Sequence, residues 1–398
     1  MSLNLPIYLD HNATTPCDPR VVEAMLPYFS QSFGNAASRH HSFGWQAQAA
    51  VDLGREQVAQ LINAEPAEII FTSGATEAVN LAVKGVYETY NAKGAHIITC
   101  SIEHKAVLDT CKHLEKKGAD VTYLPVNEKG LVNVEELEAA IKPTTILITI
   151  MYANNEIGAI QPIAEIGRIA KEKSVAFFSD ATQAVGKISV DVMRDNIDLL
   201  ALSAHKFYGP KGVGALYVRR KAPRVKLTAQ IDGGGHERGL RSGTLNVPGI
   251  AGLGKACQRC SEEMQKNAAH TSRLRDKLEN ALLKIAGAFV NGDAKSRLPQ
   301  ITNLSFAGVD SEGLLMALGK EIAVSSGSAC TSGSLEPSYV LKALGLSNEA
   351  AHSSLRFGLG RSTTEEEIDY TIEKVSAAVQ NLRELNPFWE ELSAKLKR

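Results

Sequence analysis

Between residues 68 and 218, short apolar runs alternate with stretches whose apolar residues recur at helical spacing. EIIFT (68–72), HIITC (96–100), ILITIM (146–151), AFFSD (176–180) and LLALS (199–203) are too short for helices and show no polar alternation. Each therefore reads as a strand buried on both faces. Further strands are expected at 121–125 and 213–218, and helices at 105–117, 135–141 and 163–173, with another opening at SGATE (73–77). Strand, helix, strand at this spacing gives right-handed crossovers and a mainly parallel sheet covered on both faces. Ahead of this block, IYLDHNATTP reads as a strand running into a polar turn, 21–29 as a helix, 33–44 as a loop and 46–62 as a helix. Past residue 245 the pattern changes. A long helix is expected at 250–286, strands at 300–306, 322–325 and 354–357, and helices at 338–344 and 364–382, the last capped by Thr363 or Thr364. The fold class is α/β: a large domain over 16–260, and a smaller α+β domain formed by 1–15 and 261–398.

Composition narrows the function without naming it. At 398 residues, 44% hydrophobic and 22% charged, the chain is an ordinary globular protein. A net charge of −1 leaves no basic excess to neutralise phosphates, which argues against nucleic acid and anionic membrane surfaces as partners. No apolar run approaches the ~20 residues of a membrane span. MSLNLPIYLD lacks a signal-peptide core and an Arg-rich transit segment, so a cytoplasmic location is expected. Six cysteines are too sparse for a disulfide framework. Cys257 and Cys260 form a C-x-x-C inside an expected helix with no second ligand pair, so a structural role is preferred over zinc.

In open parallel sheets, ligands bind beyond the carboxyl ends of the strands. The residues that follow each strand here are Ser73-Gly74-Ala75-Thr76, Glu103-His104, Asn154-Asn155-Glu156, Asp180 with Gln183, and Ser203, His205 and Lys206. A Ser-Gly-Ala-Thr turn opening a helix presents amides, hydroxyls and a helix dipole to a phosphate, or is a plain N-cap. Asp180, ending an apolar strand, needs a partner: a protonated ring nitrogen, or a structural salt bridge. His104 can stack on a flat ligand, shuttle a proton or be structural. Asn155 and Gln183 offer neutral donors and acceptors. Lys206 sits in a turn held by glycines and a proline, where a lysine can be desolvated into a nucleophilic amine. On its own it could equally be a solvated loop residue. Together these groups describe a pyridoxal 5′-phosphate site. A P-loop GxxxxGK[ST] and a Rossmann GxGxxG are both absent.

Three later features add to this. AVSSGSACTSGSLEP (323–337) places Cys330 among small polar residues, which leaves its thiol able to reach a neighbouring site and carry a group away. Outside that context it would be a bystander cysteine. Arg356, on SLRF, suits bidentate capture of a carboxylate or an interdomain salt bridge. DGGGHERGLRSGT (232–244) is either a mobile surface loop or a segment that reaches a partner subunit's cofactor phosphate.

The motifs YLDHNATTP, TSGATEAVNLA, EHKAVLDT, NNEIG, DATQAVGK, SAHKFYGPKG, GGGHERGLRSGTLN, SSGSACTSGSLEPSYVL and AHSSLRFGLGR, in this order, resemble the IscS/NifS-type cysteine desulfurases, which have an aspartate-aminotransferase-like, fold-type I architecture. The resemblance implies that Lys206 holds the cofactor covalently. Ala75, Thr76, Ser203 and His205 would bind its phosphate, joined by Thr244 from the other subunit of a homodimer. Asp180 would pair with the ring nitrogen, Gln183 with the ring hydroxyl, and His104 would stack on the ring and act on the substrate thiol. Asn155 and Arg356 would hold the carboxylate of L-cysteine. Cys330 would take the sulfur as a persulfide, pass it to an iron–sulfur scaffold protein or a tRNA-thiolation relay, and serve transiently as a cluster ligand. His11-Asn12 stands where relatives vary and is assigned no role. The sequence ends at Arg398, without the longer tail that some relatives use to dock the scaffold.

Overall fold

The structure, a computed structural model, describes residues 3–221, 224–326 and 336–396. Cys330 lies outside these described residues. The strands are β1 (Ile7–Tyr8), β2 (Ile69–Thr72), β3 (His96–Cys100), β4 (Asp120–Leu124), β5 (Thr145–Thr149), β6 (Ala176–Asp180), β7 (Leu199–Ser203), β8 (Gly214–Val218), β9 (Ala288–Val290), β10 (Ile301–Phe306), β11 (Ile322–Ala323) and β12 (Ser354–Gly358). Seven of them form one sheet in the order β2-β8-β7-β6-β5-β3-β4. From β7 to β4 all neighbours are parallel, whereas β8 runs antiparallel to both β7 and β2. The reversal has a simple cause: residues 204–213 are too few to carry a crossover, so β7 and β8 must form a hairpin.

Adjacent residues of each central strand serve opposite faces. Leu147, Phe178, Leu199 and Ala201 pack with Val79, Val83 and Val107 of the helices Ala75–Tyr90 and Lys105–Glu115. Ile148, Phe177, Leu200 and Leu202 pack with Val51, Val58, Ile166 and Leu253 of the helices Ser42–Leu61, Ile163–Glu172 and Val247–Leu282. Burial on both faces is why these strands read as unbroken apolar runs. A second sheet, β12-β10-β9, is antiparallel and packs its own core of Leu304, Phe306, Leu355 and Phe357 against the helix Glu365–Glu384. That helix opens on a capping box formed by Thr364 and Glu367. The 36-residue helix Val247–Leu282 runs unbroken past position 260, so the chain passes from one sheet to the other along it. The N-terminal segment joins the second sheet: β1 pairs with β11, and Asp10 bridges Gly358 of β12.

Local misreadings have local causes. The expected helix at 21–29 is two helices, Pro19–Met25 and Pro27–Ser30, because Pro27 supplies no N–H to continue the first. The helix expected from residue 46 begins at Ser42, inside the expected loop, capped by the His41 ring. Strand β9 and the helices Ser311–Leu318, Asn348–His352 and Trp389–Leu396 were not expected at all.

The glycine-rich stretch 232–244 is anchored rather than free. Arg55 and Glu237 form a buried two-point pair (Nη2–Oε1 2.6 Å, Nη1–Oε2 2.9 Å), and Glu237 also accepts from the Phe71 amide of β2 at 2.7 Å. Removing one partner of such a pair strands a buried charge. Glu237→Ala is expected to lower unfolding stability by about 3–5 kcal/mol, read as a drop in the urea midpoint at unchanged slope.

Candidate active site

A cavity of ≈ 700 Å³ opens at the carboxyl ends of the parallel strands. Its wall carries Ala75, Thr76, His104, Asn155, Asp180, Gln183, Ser203, His205, Lys206 and Arg356, ten of the residues singled out above. Thr244 is exposed and lies outside it on its own chain.

Lys206 ends the single turn Ala204–Lys206 that follows β7. The turn is clamped from the N-terminal segment: the Thr15 amide and hydroxyl both donate to the His205 carbonyl at 2.9 Å. Lys206 Nζ donates to the Asn12 and Ala13 carbonyls at 2.8 and 2.7 Å. Close approach around this turn depends on Gly214, where a Cβ would sit 2.8 Å from the Gly74 Cα. His205 bonds the Thr14 hydroxyl through Nδ1 at 3.0 Å, and burial, with Lys206 nearby, lowers its pKa to about 4. It is therefore a neutral ring at physiological pH.

His104 caps the helix Lys105–Glu115, its Nδ1 accepting from the Ala106 amide at 3.1 Å. That bond fixes the tautomer: the neutral ring carries its proton on Nε2. Burial lowers the His104 pKa, which keeps the ring neutral. Beside it, Glu103 is fully buried, and its carboxyl is pushed well above the usual range by burial first and by Asp180 second. Burial and the neighbouring carboxylate thus both favour the protonated form of Glu103.

Asp180 is 6% exposed at the end of β6. The Thr182 amide and hydroxyl both donate to its Oδ1, and no other described residue hydrogen-bonds the carboxylate. Asn155 contributes its backbone carbonyl, which accepts from Arg356 Nη1 at 3.1 Å and Asn12 Nδ2 at 3.4 Å. Arg356 lines the cavity and forms a salt bridge, but not an interdomain one: Nη2 pairs at 2.7 Å with Asp10, which belongs to the same expected smaller domain, and Nε is buried without a hydrogen-bond partner among the described residues.

These residues fit pyridoxal phosphate on three observations. Gly74, the N-cap of the helix Ala75–Tyr90, provides no side-chain cap, so the leading amides are open to a phosphate at the cavity wall. Asp180 keeps one oxygen unengaged for a ring nitrogen. Lys206 Nζ lies on the same wall, within a volume suited to one small cofactor and substrate. Asn12 was assigned no role in the sequence, yet its carbonyl meets both Lys206 and Gln183, the latter at 2.9 Å. The available signal was its place in the polar turn after the first strand. Among the described residues no group of three or more His, Cys, Asp or Glu could hold a metal ion. None of the described helices is long and apolar enough to cross a membrane.

Residues 7–371 match the family model Aminotransferase class-V. "Cysteine desulfurase IscS" of Colwellia psychrerythraea is 56% identical over 390 residues, 98% of this chain and 96% of that protein. The protein of the same name from Mannheimia succiniciproducens is 57% identical over 390 residues, with the same coverage. Among solved structures, a NifS-like protein superposes with a TM-score of 0.88 at 40% identity, covering 94% of this chain and 100% of its own. One described as "SspA in complex with cysteine" gives 0.80 at 40% identity, covering 90% and 100%. The chain belongs to the aminotransferase class-V family and, within it, to the IscS/NifS-type cysteine desulfurases.

Proposed function

We propose that this chain is a pyridoxal-phosphate-dependent cysteine desulfurase. It takes sulfur from L-cysteine, releases L-alanine, and passes the sulfur from Cys330 to acceptors for iron–sulfur cluster assembly and tRNA thiolation in the cytoplasm. The observation that carries this reading is the convergence of Lys206, Asp180, His104 and an uncapped helix N-terminus on one cavity.

Bound pyridoxal phosphate supplies an electron sink for the substrate's Cα. Ala75, Thr76, Ser203 and His205 hold its phosphate, Asp180 its ring nitrogen and Gln183 its ring hydroxyl. Lys206 Nζ would anchor it and is placed to move the substrate's α-proton. Asn155 and the remaining N–H groups of Arg356 orient the substrate carboxylate. His104 stacks on the ring. In the tautomer set by Ala106 it donates a hydrogen bond from Nε2 rather than accepting one. Cys330, as thiolate, attacks the substrate sulfur. The Cβ–S bond breaks with its electron pair passing to the carbon fragment, which is protonated and leaves as alanine. The sulfur remains on Cys330 as a persulfide. Whether the same thiol ligates a cluster during transfer is read by adding an assembled cluster to the Cys330→Ala protein.

The test is an alanine and sulfide assay on L-cysteine, with L-selenocysteine in parallel. Equal release of alanine and reducible sulfur supports the reading; transamination without sulfur release overturns it.

The functional unit is proposed to be a homodimer that brings Thr244 to the partner's phosphate site. Leu26, Phe29, Phe33, Trp45 and Leu53 are 54–63% exposed within one N-terminal stretch, a density of apolar surface that a second copy would cover. Trp45→Glu is expected to raise the dimer dissociation constant at least about tenfold, measured by sedimentation.

A further inference from the structure

Lys187 is absent from every role assigned above, yet it meets the site. It is part-buried, and its Nζ donates to Gln183 Oε1 at 2.7 Å. Gln183 Nε2 in turn donates to the Asn12 carbonyl at 2.9 Å. An ammonium supplies only donors and a carbonyl only an acceptor. Both neighbours therefore impose one amide orientation: oxygen toward Lys187, where Asn12 Nδ2 also donates at 3.5 Å, and nitrogen toward the Asn12 carbonyl. The second N–H on Nε2 is left for the cavity that Gln183 lines.

Among the described residues, no carboxylate acts on Lys187. Lys206, Arg356 and Cys260 face it, and His11 and His205 feel its charge. The small cleft behind it, ≈ 40 Å³, is lined by Arg259 and Arg361 but by no Asp or Glu. Both arginines are paired elsewhere, Arg259 with Glu262 and Glu263, and Arg361 with Asp18. Desolvation, with Lys206 and Arg356, lowers the Lys187 pKa well below the usual lysine value. A cation so placed has no anion to answer it among the described residues.

We propose that Lys187 is a positioning residue that acts through Gln183 on the ring oxygen of the cofactor. It polarises the amide so that Nε2 donates to an ionised ring oxygen, and its charge disfavours a proton on the cofactor–Lys206 linkage. The inference rests on the pyridoxal-phosphate reading above. Binding of that anionic oxygen and protonation of Lys187 support each other.

The experiment is a pH titration of the visible absorption band of the holoenzyme, without substrate, together with cofactor affinity. Lys187→Met removes a nearby cation, which favours the protonated linkage, so the midpoint should rise by about one pH unit, tenfold in proton affinity. The cofactor dissociation constant should rise about tenfold. Lys187→Arg, still charged and donor-only, should keep the wild-type midpoint. Lys187→Gln keeps a donor without charge and should shift like Lys187→Met, which covers a methionine variant that fails to fold. In the Gln183→Met background, Lys187→Met should add little further loss of cofactor affinity, because that effect passes through the amide, while the midpoint should still shift. A Lys187→Met or Lys187→Gln midpoint equal to wild type overturns the inference. A wild-type protein with no pH-dependent band overturns the cofactor reading instead.

Discussion

Lys206→Ala is expected to yield a colourless protein with no measurable turnover of L-cysteine, a fall of at least about 10³-fold. Two roles vanish with one amine. Nothing else on the cavity wall can replace the covalent anchor. The other lysine there, Lys211, lies beyond the clamped turn in the β7–β8 link. The proton-moving group at Cα is lost as well. Lys206→Arg should be equally inactive, since a guanidinium does not form the linkage despite keeping the charge. The fold should survive, because Lys206 belongs to none of the three apolar cores and the turn is held by main-chain bonds to Thr15. Far-UV circular dichroism checks the fold, the visible spectrum checks the linkage, and alanine release checks turnover. A yellow, active Lys206→Ala protein would end the assignment.

Cys330→Ala should separate cofactor chemistry from sulfur transfer. The variant should remain yellow and bind L-cysteine with a spectral change, yet form no protein persulfide. Without added thiol, sulfur release should fall at least about 10³-fold. The described cysteines cannot substitute. Cys100, Cys111, Cys257 and Cys260 are buried, and burial pushes all four thiols up, Cys111 and Cys260 to about 12. They stay protonated at neutral pH and are poor nucleophiles. Cys17 is only partly buried, but burial and Asp18 raise its pKa as well. None of the five lines the cavity. Mass spectrometry of the intact protein after one turnover reads the added sulfur atom directly. Full desulfurase activity in Cys330→Ala would remove the persulfide from the mechanism.

The strand-end groups were legible because each follows its own strand within a few residues. Asp180 ends β6, Gln183 lies three residues on, Ser203 ends β7, and His205 and Lys206 lie in the turn that follows it directly. Local order along a parallel sheet converts directly into adjacency in space. The antiparallel turn of β8 was less legible, because an apolar run does not state its direction; only the shortness of the link does. Asn12 was given no role. Its partner Gln183 is 171 positions away, and nothing in HNATTP specifies that partner.

By itself, then, the sequence determined the sheet, the polar groups along its carboxyl edge and the cofactor those groups suit, since all three follow from short-range patterns of burial and spacing. Tertiary structure alone decided how the groups are tuned. It brings the N-terminal segment across to hold Lys206, gives Arg356 to Asp10, caps a helix with His104 so that one tautomer remains, and sets Lys187 behind Gln183. The physical reason is that β1 and β11 are strands of two residues each, too short to announce their pairing. That pairing, with the Asp10–Gly358 bridge, delivers the remaining half of the site.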